Sequence, residues 1–251
     1  MDLKLSDKTA LVTGASMGIG RAIAKALAAE GVRLCIAARR RNLLEALAAE
    51  ITAAGGQAPH IVEIDIMPVG APALLANAAS KALGHVDIII NSAGGSQPAI
   101  RLDAPEEEWE HAMTLNFVRL RQLTHALLPG MIERKWGRSI NISGKSEPER
   151  MFAATASKAA VHAWSKGLSR EIGKYGITVN SIPPGRIMSE QIRRKYSEEF
   201  RAEQSAREIP VGRYGEPEEL ATLAVYLASP LASYITGAVL PVDGGLRRYI
   251  F

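Results

Sequence analysis

Three glycines within eight residues carry the first chemistry of this chain. In Thr13-Gly14-Ala15-Ser16-Met17-Gly18-Ile19-Gly20 they stand at G-x-x-x-G-x-G spacing. Gly14 permits a tight turn, Gly18 lets backbone approach a pyrophosphate, and Gly20 allows a helix to pack closely on the preceding strand. A helix starting here turns amide hydrogens and the positive end of its dipole toward phosphate oxygens. The spacing departs from the commoner G-x-G-x-x-G, and many tight turns share this composition, so the loop needs support from elsewhere. A second candidate is basic: Ala154, Lys158 and His162 lie four apart, which on a helix puts them on one face.

The elements that must position these groups alternate along the chain. Short apolar runs predict strands at 8–13, 32–38, 60–65, 86–91, 139–143, 177–182 and 238–242. Between them lie helical stretches near 18–30, 42–54, 71–83, 106–129, 152–174 and 216–228. Apolar runs without strict alternation suit strands covered on both faces. The expected fold is therefore α/β, a Rossmann-type doubly wound parallel sheet of seven strands with helices on both faces. No proline-rich linker or repeat divides the 251 residues, which predicts a single domain over 1–251. The segment 188–215 follows the sixth strand at the carboxyl edge of the sheet, where ligands bind in such folds, and reads as a substrate lid.

The second predicted strand ends Ala38-Arg39-Arg40-Arg41. A carboxylate near Ala38 would accept hydrogen bonds from both ribose hydroxyls of NAD. Arginines in its absence suit the 2′-phosphate of NADP, so NADP(H) is the expected cofactor and NAD(H) the second choice.

Six motifs then fall in a familiar order: "TGASMGIG" (13–20), "NSAG" (91–94), Asn116 in "TLNF", "SKAA" (157–160), "YGITVNSIPPG" (175–185) and "VDGG" (242–245). In this order and spacing the chain resembles the short-chain dehydrogenase/reductase family over essentially its whole length. Within it, the 3-oxoacyl-carrier-protein reductase group is the nearest general type. The resemblance implies a nicotinamide dinucleotide and a homo-oligomer, usually a tetramer. It implies that Gly14, Ser16, Met17, Gly18, Ile19 and Gly20 hold pyrophosphate and ribose, with Met17 standing where NADP-dependent relatives often carry a basic residue. Asp65 and Ile66 would flank the adenine. Asn91, Ala93 and Gly94 would line the cofactor's path, and Pro184, Gly185, Ile187 and Ser189 would meet its nicotinamide end.

The same resemblance exposes two departures. A family tyrosine protonates the substrate oxygen, a lysine four residues on lowers its pKa and binds ribose, a serine orients the carbonyl, and an asparagine supports a water relay. Asn116 and Lys158 match, but Ala154 stands for the tyrosine and Gly144 for the serine. The loop before Ala154 is about three residues short, so Ser143 or Ser146 becomes the candidate hydroxyl, with Lys145, Ser146 and Glu147 as possible replacements for the acid. A positioned general acid supplies roughly 10²–10⁴-fold, so ordinary ketone reduction would suffer, while a substrate stabilising its own negative charge would suffer less.

Composition bounds the rest. Thirty basic against 26 acidic residues give a net charge of +4, and no aromatic–basic motif accompanies the excess, which argues against nucleic acid. The single cysteine, Cys35, lies in an apolar run and reads as a buried thiol. No apolar run approaches a membrane span, and the N-terminus lacks a signal-peptide pattern, so a cytoplasmic location is expected. Arg186 and the basic lid point to an anionic or thioester small-molecule substrate, with a lid glutamate as the other partner open to Arg186. The expected function is NADP(H)-dependent hydride transfer to or from a carbonyl-type or conjugated substrate at an altered proton-transfer site. The alternative is a non-catalytic NADP-binding protein on the same fold.

Overall fold

The computed structural model describes residues 1–95, 104–144 and 152–248. Its strands are β1 (Thr9–Thr13), β2 (Arg33–Ala38), β3 (His60–Glu63), β4 (Ile88–Asn91), β5 (Gly137–Ile142) and β6 (Ile177–Ile182). All pair in parallel in the order β3-β2-β1-β4-β5-β6. Helices α1 (Gly18–Ala29), α2 (Arg41–Ala53) and α9 (Pro217–Ala228) cover one face of the sheet. The other carries α3 (Ala71–Leu83), α5 (Arg119–Arg134) and α6 (Ala153–Ile172), with α4 (Glu106–Met113) beside α6.

Period-2 geometry explains why the strands read as unbroken apolar runs. Val12, Ile36, Ile88 and Ile90 pack toward α1 and α9, while Leu11, Cys35 and Ile89 pack toward α3 and α5. Each of these side chains is at 0% exposure, and such burial contributes about 1.5–3 kcal/mol per side chain.

Two sequence expectations need correction. The described residues form six strands rather than seven: 238–242 reaches β6 only through isolated bridges, Ser181 to Val239 and Pro184 to Val242. Ser181 still makes ladder bonds with this segment, its amide donating to the Ala238 carbonyl and its carbonyl accepting from the Leu240 amide. Pro183 has no N–H to donate where the next rung belongs, which breaks the run. The helix expected at 106–129 is α4, a π-helical turn Thr114–Val118, and α5, which runs past Pro129 to Arg134. Met131, fully buried beyond that proline, anchors the added turn.

Because β1 lies between β2 and β4, the chain reverses its direction of travel across the sheet there. The crevice outside the carboxyl ends of β1 and β4 is where ligands bind in open α/β sheets. The glycine loop leaves β1 at this point and Ser92–Gly95 leaves β4.

Candidate active site

The loops after β1 and β4 are locked together by Thr13. Its hydroxyl oxygen accepts hydrogen bonds from the backbone of Ser92 and Ala93, each at 3.0 Å, and donates to the Ile90 carbonyl. Gly14, at φ +65°, has no room for a side chain, since a Cβ there would lie 2.7 Å from the Ser92 carbonyl oxygen. A Cβ on Gly20 would lie 2.5 Å from the Gly14 carbonyl, so α1 sits directly on the turn. Gly18 differs: at φ +54° its Cβ position meets only the Ser189 Cβ, at 3.9 Å. The start of α1 is therefore an open cradle of backbone under Ser189, a shape that fits a pyrophosphate.

A cleft of about 430 Å³ lies beside this cradle along the sheet edge. Gly14, Ser16, Met17, Ile19 and Gly20 line its centre. Arg39 and Arg40 line one end, both exposed, and the Arg40 guanidinium donates to the Ser16 hydroxyl at 3.3 Å. Neither arginine forms an ion pair among the described residues, whereas Arg41 pairs with Glu45 along α2. Two unneutralised guanidiniums beside a strand end lacking a carboxylate could hold a phosphate. Asp65 and Ile66 line the same end, with Asp65 accepting from the Met67 amide. Ala93, Gly94 and Pro184 line the other.

Several expected contacts lie outside the cleft lining, Gly18 and Asn116 among them. Asn91 points into the sheet, donating to Thr124 Oγ1 at 3.0 Å and Asn141 Oδ1 at 2.8 Å. Asn141 in turn donates to Ser165, which receives Ser181. This buried polar chain ties β4, β5, β6 and α6 together, so Asn91 positions the strand rather than facing the cleft. Gly185 and Ile187 pair with neighbouring backbone: Gly185 donates to the Val242 carbonyl, and Ile187 bridges to Gly215. Ser189 caps α7 (Glu190–Lys195), its hydroxyl accepting from the Ile192 amide. Arg186 is paired with Glu208 of α8 (Glu198–Glu208) at 3.1 Å, the lid glutamate left open by the sequence.

The Lys158 end of the cleft is built by α6, β5 and the π turn. Asn116 sits in that turn, where π geometry recurs at functional sites. Its Oδ1 accepts from the Gly95 amide at 3.0 Å and its Nδ2 donates to the Ala112 carbonyl. Lys158 crosses from α6 to the end of β5, where its ammonium donates to the Ser143 carbonyl at 2.9 Å. Both Ser143 and Lys158 line the cleft. Burial pushes the Lys158 pKa down to about 8. His162 lies one turn further along α6, its Nε2 2.7 Å from the Ser143 hydroxyl. Burial and the charges of Arg247 and Lys158 lower its pKa, so the ring is neutral near pH 7. The helical spacing had shown the shared face of Ala154, Lys158 and His162, but only the fold brings Ser143 to it. His111 of α4, which lines the cleft too, carried no sequence signal. Lys145, Ser146 and Glu147 lie outside the described residues.

Comparisons with known proteins agree with this architecture. The family described as enoyl-(acyl carrier protein) reductase matches residues 14–247. A 3-oxoacyl-[acyl-carrier-protein] reductase of Aquifex aeolicus is 33% identical over 256 residues, covering 98% of this chain and 100% of that protein. One from Vibrio cholerae is 35% identical over 248 residues, covering 97% and 99%. Among solved structures, L-sorbose reductase of Gluconobacter frateurii, complexed with NADPH and L-sorbose, superposes with TM-score 0.93 at 28% identity over 100% of both chains. A 7α-hydroxysteroid dehydrogenase complexed with NADH and a 7-oxo bile acid gives 0.91 at 30% identity, covering 97% of this chain and 96% of that one. The glycine cradle, the lysine at the end of β5 and these full-length likenesses lead to one assignment: the chain belongs to the short-chain dehydrogenase/reductase family of oxidoreductases.

Proposed function

We propose that the protein is an NADP(H)-dependent reductase moving hydride between the cofactor and a carbonyl-type or conjugated small molecule, at a proton-transfer site of altered composition. The observation that carries this reading is the shared cleft, in which the ammonium of Lys158 faces the same space as the glycine cradle. Bound there, the cofactor would supply hydride. The cradle of Gly14, Gly18 and Gly20 would hold its pyrophosphate, Arg39 and Arg40 its 2′-phosphate, and Asp65 and Ile66 its adenine. Pro184 and Gly94 would enclose the reacting end, and Lys158 would form its polar floor, with Asn116 behind it holding the Gly95 amide. The NADPH-bound sorbose reductase supports the choice of cofactor, and the 3-oxoacyl-[acyl-carrier-protein] reductases support an acyl thioester as the substrate class.

The unit proposed is a single domain over 1–251, with 188–215 as its lid, working in the cytoplasm as a homotetramer. No helix among the described residues is long and apolar enough to cross a membrane. Trp109, Met113 and Phe117 on α4 and the π turn, beside Trp164 of α6, leave an apolar face for isologous helix packing, with Met113 37% exposed.

Fluorescence titration with NADPH and NADH, followed by oxidation assays over 3-oxoacyl thioesters, quinones and enoyl thioesters, tests the reading. The expected result is several-fold tighter NADPH binding and turnover of at least one class. Tight NADPH binding with no hydride transfer to any of them would favour the non-catalytic alternative.

A further inference from the structure

We propose that Gly144 and Ala154 act as one change, together clearing the space in which the Lys158 ammonium itself donates the proton to the substrate oxygen. This rests on the reductase reading above and names the group that reading leaves open.

The steric observation comes first. A Cβ built on Gly144 would lie 2.5 Å from Lys158 Cδ and 3.5–3.6 Å from its Cβ and Cγ. The lysine stem thus occupies the room that a side chain at residue 144 needs. This path of the lysine requires glycine at 144. At the far end, Nζ reaches the Ser143 carbonyl and comes within 3.9 Å of where a Cβ on Gly94 would be. The ammonium is therefore set between the loops after β4 and β5, at the floor of the cleft. Ala154, one helical turn before it on the same face of α6, is buried behind the cleft lining and carries only a methyl group, so no longer side chain reaches from that position toward Nζ.

Apart from His111, which lines the cleft from α4, the alternatives in the described part of the site are already engaged. His162 Nε2 is turned onto the Ser143 hydroxyl, and both ends of the Asn116 amide are bonded to backbone. Ser143 uses its carbonyl on Lys158 and its hydroxyl on His162. The groups facing Lys158 are His162 from α6, Ser143 from β5 and Asn116 from the π turn, with Arg247 acting on His162 from the C-terminal segment. No described carboxylate pairs with the lysine, so its charge is unneutralised. An ammonium has three N–H bonds, and Ser143 takes one, leaving donors for the substrate oxygen either directly or across one water. Burial also lowers the pKa into the range where a proton is readily given up near neutrality.

The step balances. As the carbonyl carbon takes hydride from the reduced nicotinamide, the C=O π pair moves onto oxygen. A Lys158 N–H bond breaks, its electron pair stays on nitrogen, and the proton joins that oxygen to give the alcohol. The neutral amine then takes a proton from solvent.

The test uses the whole protein with acetoacetyl-pantetheine as probe and NADPH as reductant. The wild-type kcat should fall about tenfold per pH unit on the alkaline side of the lysine titration, because reduction needs the ammonium. Carbon-13 NMR of the Lys158 ε-carbon, without cofactor, should titrate at the same pH within about one unit. Lys158→Ala should lose at least about 100-fold in kcat. Added ethylammonium and its more acidic analogues should restore part of it, with rates tracking amine pKa. Ala154→Tyr should move the alkaline limb toward the phenol range. Rescue by no amine, or a limb in the imidazole range that disappears in His111→Gln, overturns the proposal. If Ala154→Tyr reduces the probe and wild type does not, the proposal fails while the reductase reading stands. If neither transfers hydride although both bind NADPH, the reductase reading fails with it.

Discussion

The two ends of the cleft are held by different materials. At the glycine loop the contacts are backbone: Gly14 against Ser92, Gly20 against Gly14, and the Thr13 hydroxyl pinning two amides. At the Lys158 end they are side chains: Lys158 on the Ser143 carbonyl, His162 on the Ser143 hydroxyl, and Asn116 on Gly95. A function carried by backbone survives side-chain drift as long as the glycines stay. Contacts carried by side chains depend on which side chains are present, and at this end a Cβ on Gly144 would meet only the flexible stem of Lys158.

A matched pair of glycine substitutions probes that contrast most directly. Gly20→Ala and Gly144→Ala each place a Cβ at 2.5 Å from a neighbour. For Gly20 the neighbour is backbone, so α1 must lift from β1. The expected outcome is a loss of NADPH affinity beyond about 100-fold and a stability cost of about 1–3 kcal/mol, read by titration and urea unfolding. Equal tolerance of the two substitutions would remove the distinction between the ends.

The next largest effect belongs to the arginines. Arg39→Ala and Arg40→Ala should each weaken NADPH by about 1.5–3 kcal/mol, the range for hydrogen bonds to charged groups. NADH binding should change little. Isothermal titration with both cofactors checks this, and parallel losses for the two would contradict 2′-phosphate recognition.

Lys158 gives a pH signature without any ligand. Its folded pKa lies below its unfolded value of 10.5, at about 8, because burial disfavours the charge. Between those values the unfolded chain binds more protons than the folded one, so this group makes stability rise with pH from about 8 to 10.5. Lys158→Met should flatten that rise and stabilise the folded protein near pH 7 by about 1–2 kcal/mol while removing activity. Urea titrations at pH 7, 9 and 10 read the difference.

The smallest expected effect closes the series. Gly144→Ala should change stability by no more than about 0.5 kcal/mol, because only the lysine stem must yield. Its NADPH affinity should stay within a few-fold, while the alkaline limb of the reduction profile shifts as Nζ leaves the Ser143 carbonyl. An unmoved limb would mean that the lysine path does not depend on Gly144.

The sequence by itself determined the parts of this protein that depend on local covalent geometry and period. Apolar runs covered on both faces imply a parallel sheet, and a glycine at each of 14, 18 and 20 implies a turn that backbone can bring to a phosphate. Arg39 and Arg40 could be read because a strand end fixes where the next two residues go. The seventh strand was overread, since the apolar pattern of 238–242 does not register that Pro183, on a different segment, lacks the donor for its next rung. The long helix was likewise cut short at Pro129, where burial of Met131 outweighs the local break. At the Lys158 end of the cleft, spacing showed that Lys158 and His162 share a helix face. It could not show that Ser143 meets both, because that contact spans two elements 15 and 19 residues apart. Only the tertiary structure decided that Asn91 turns inward to Asn141 and that the lysine fills the space left by Gly144. Side-chain direction there is set by what packs across the sheet, and no local pattern encodes it.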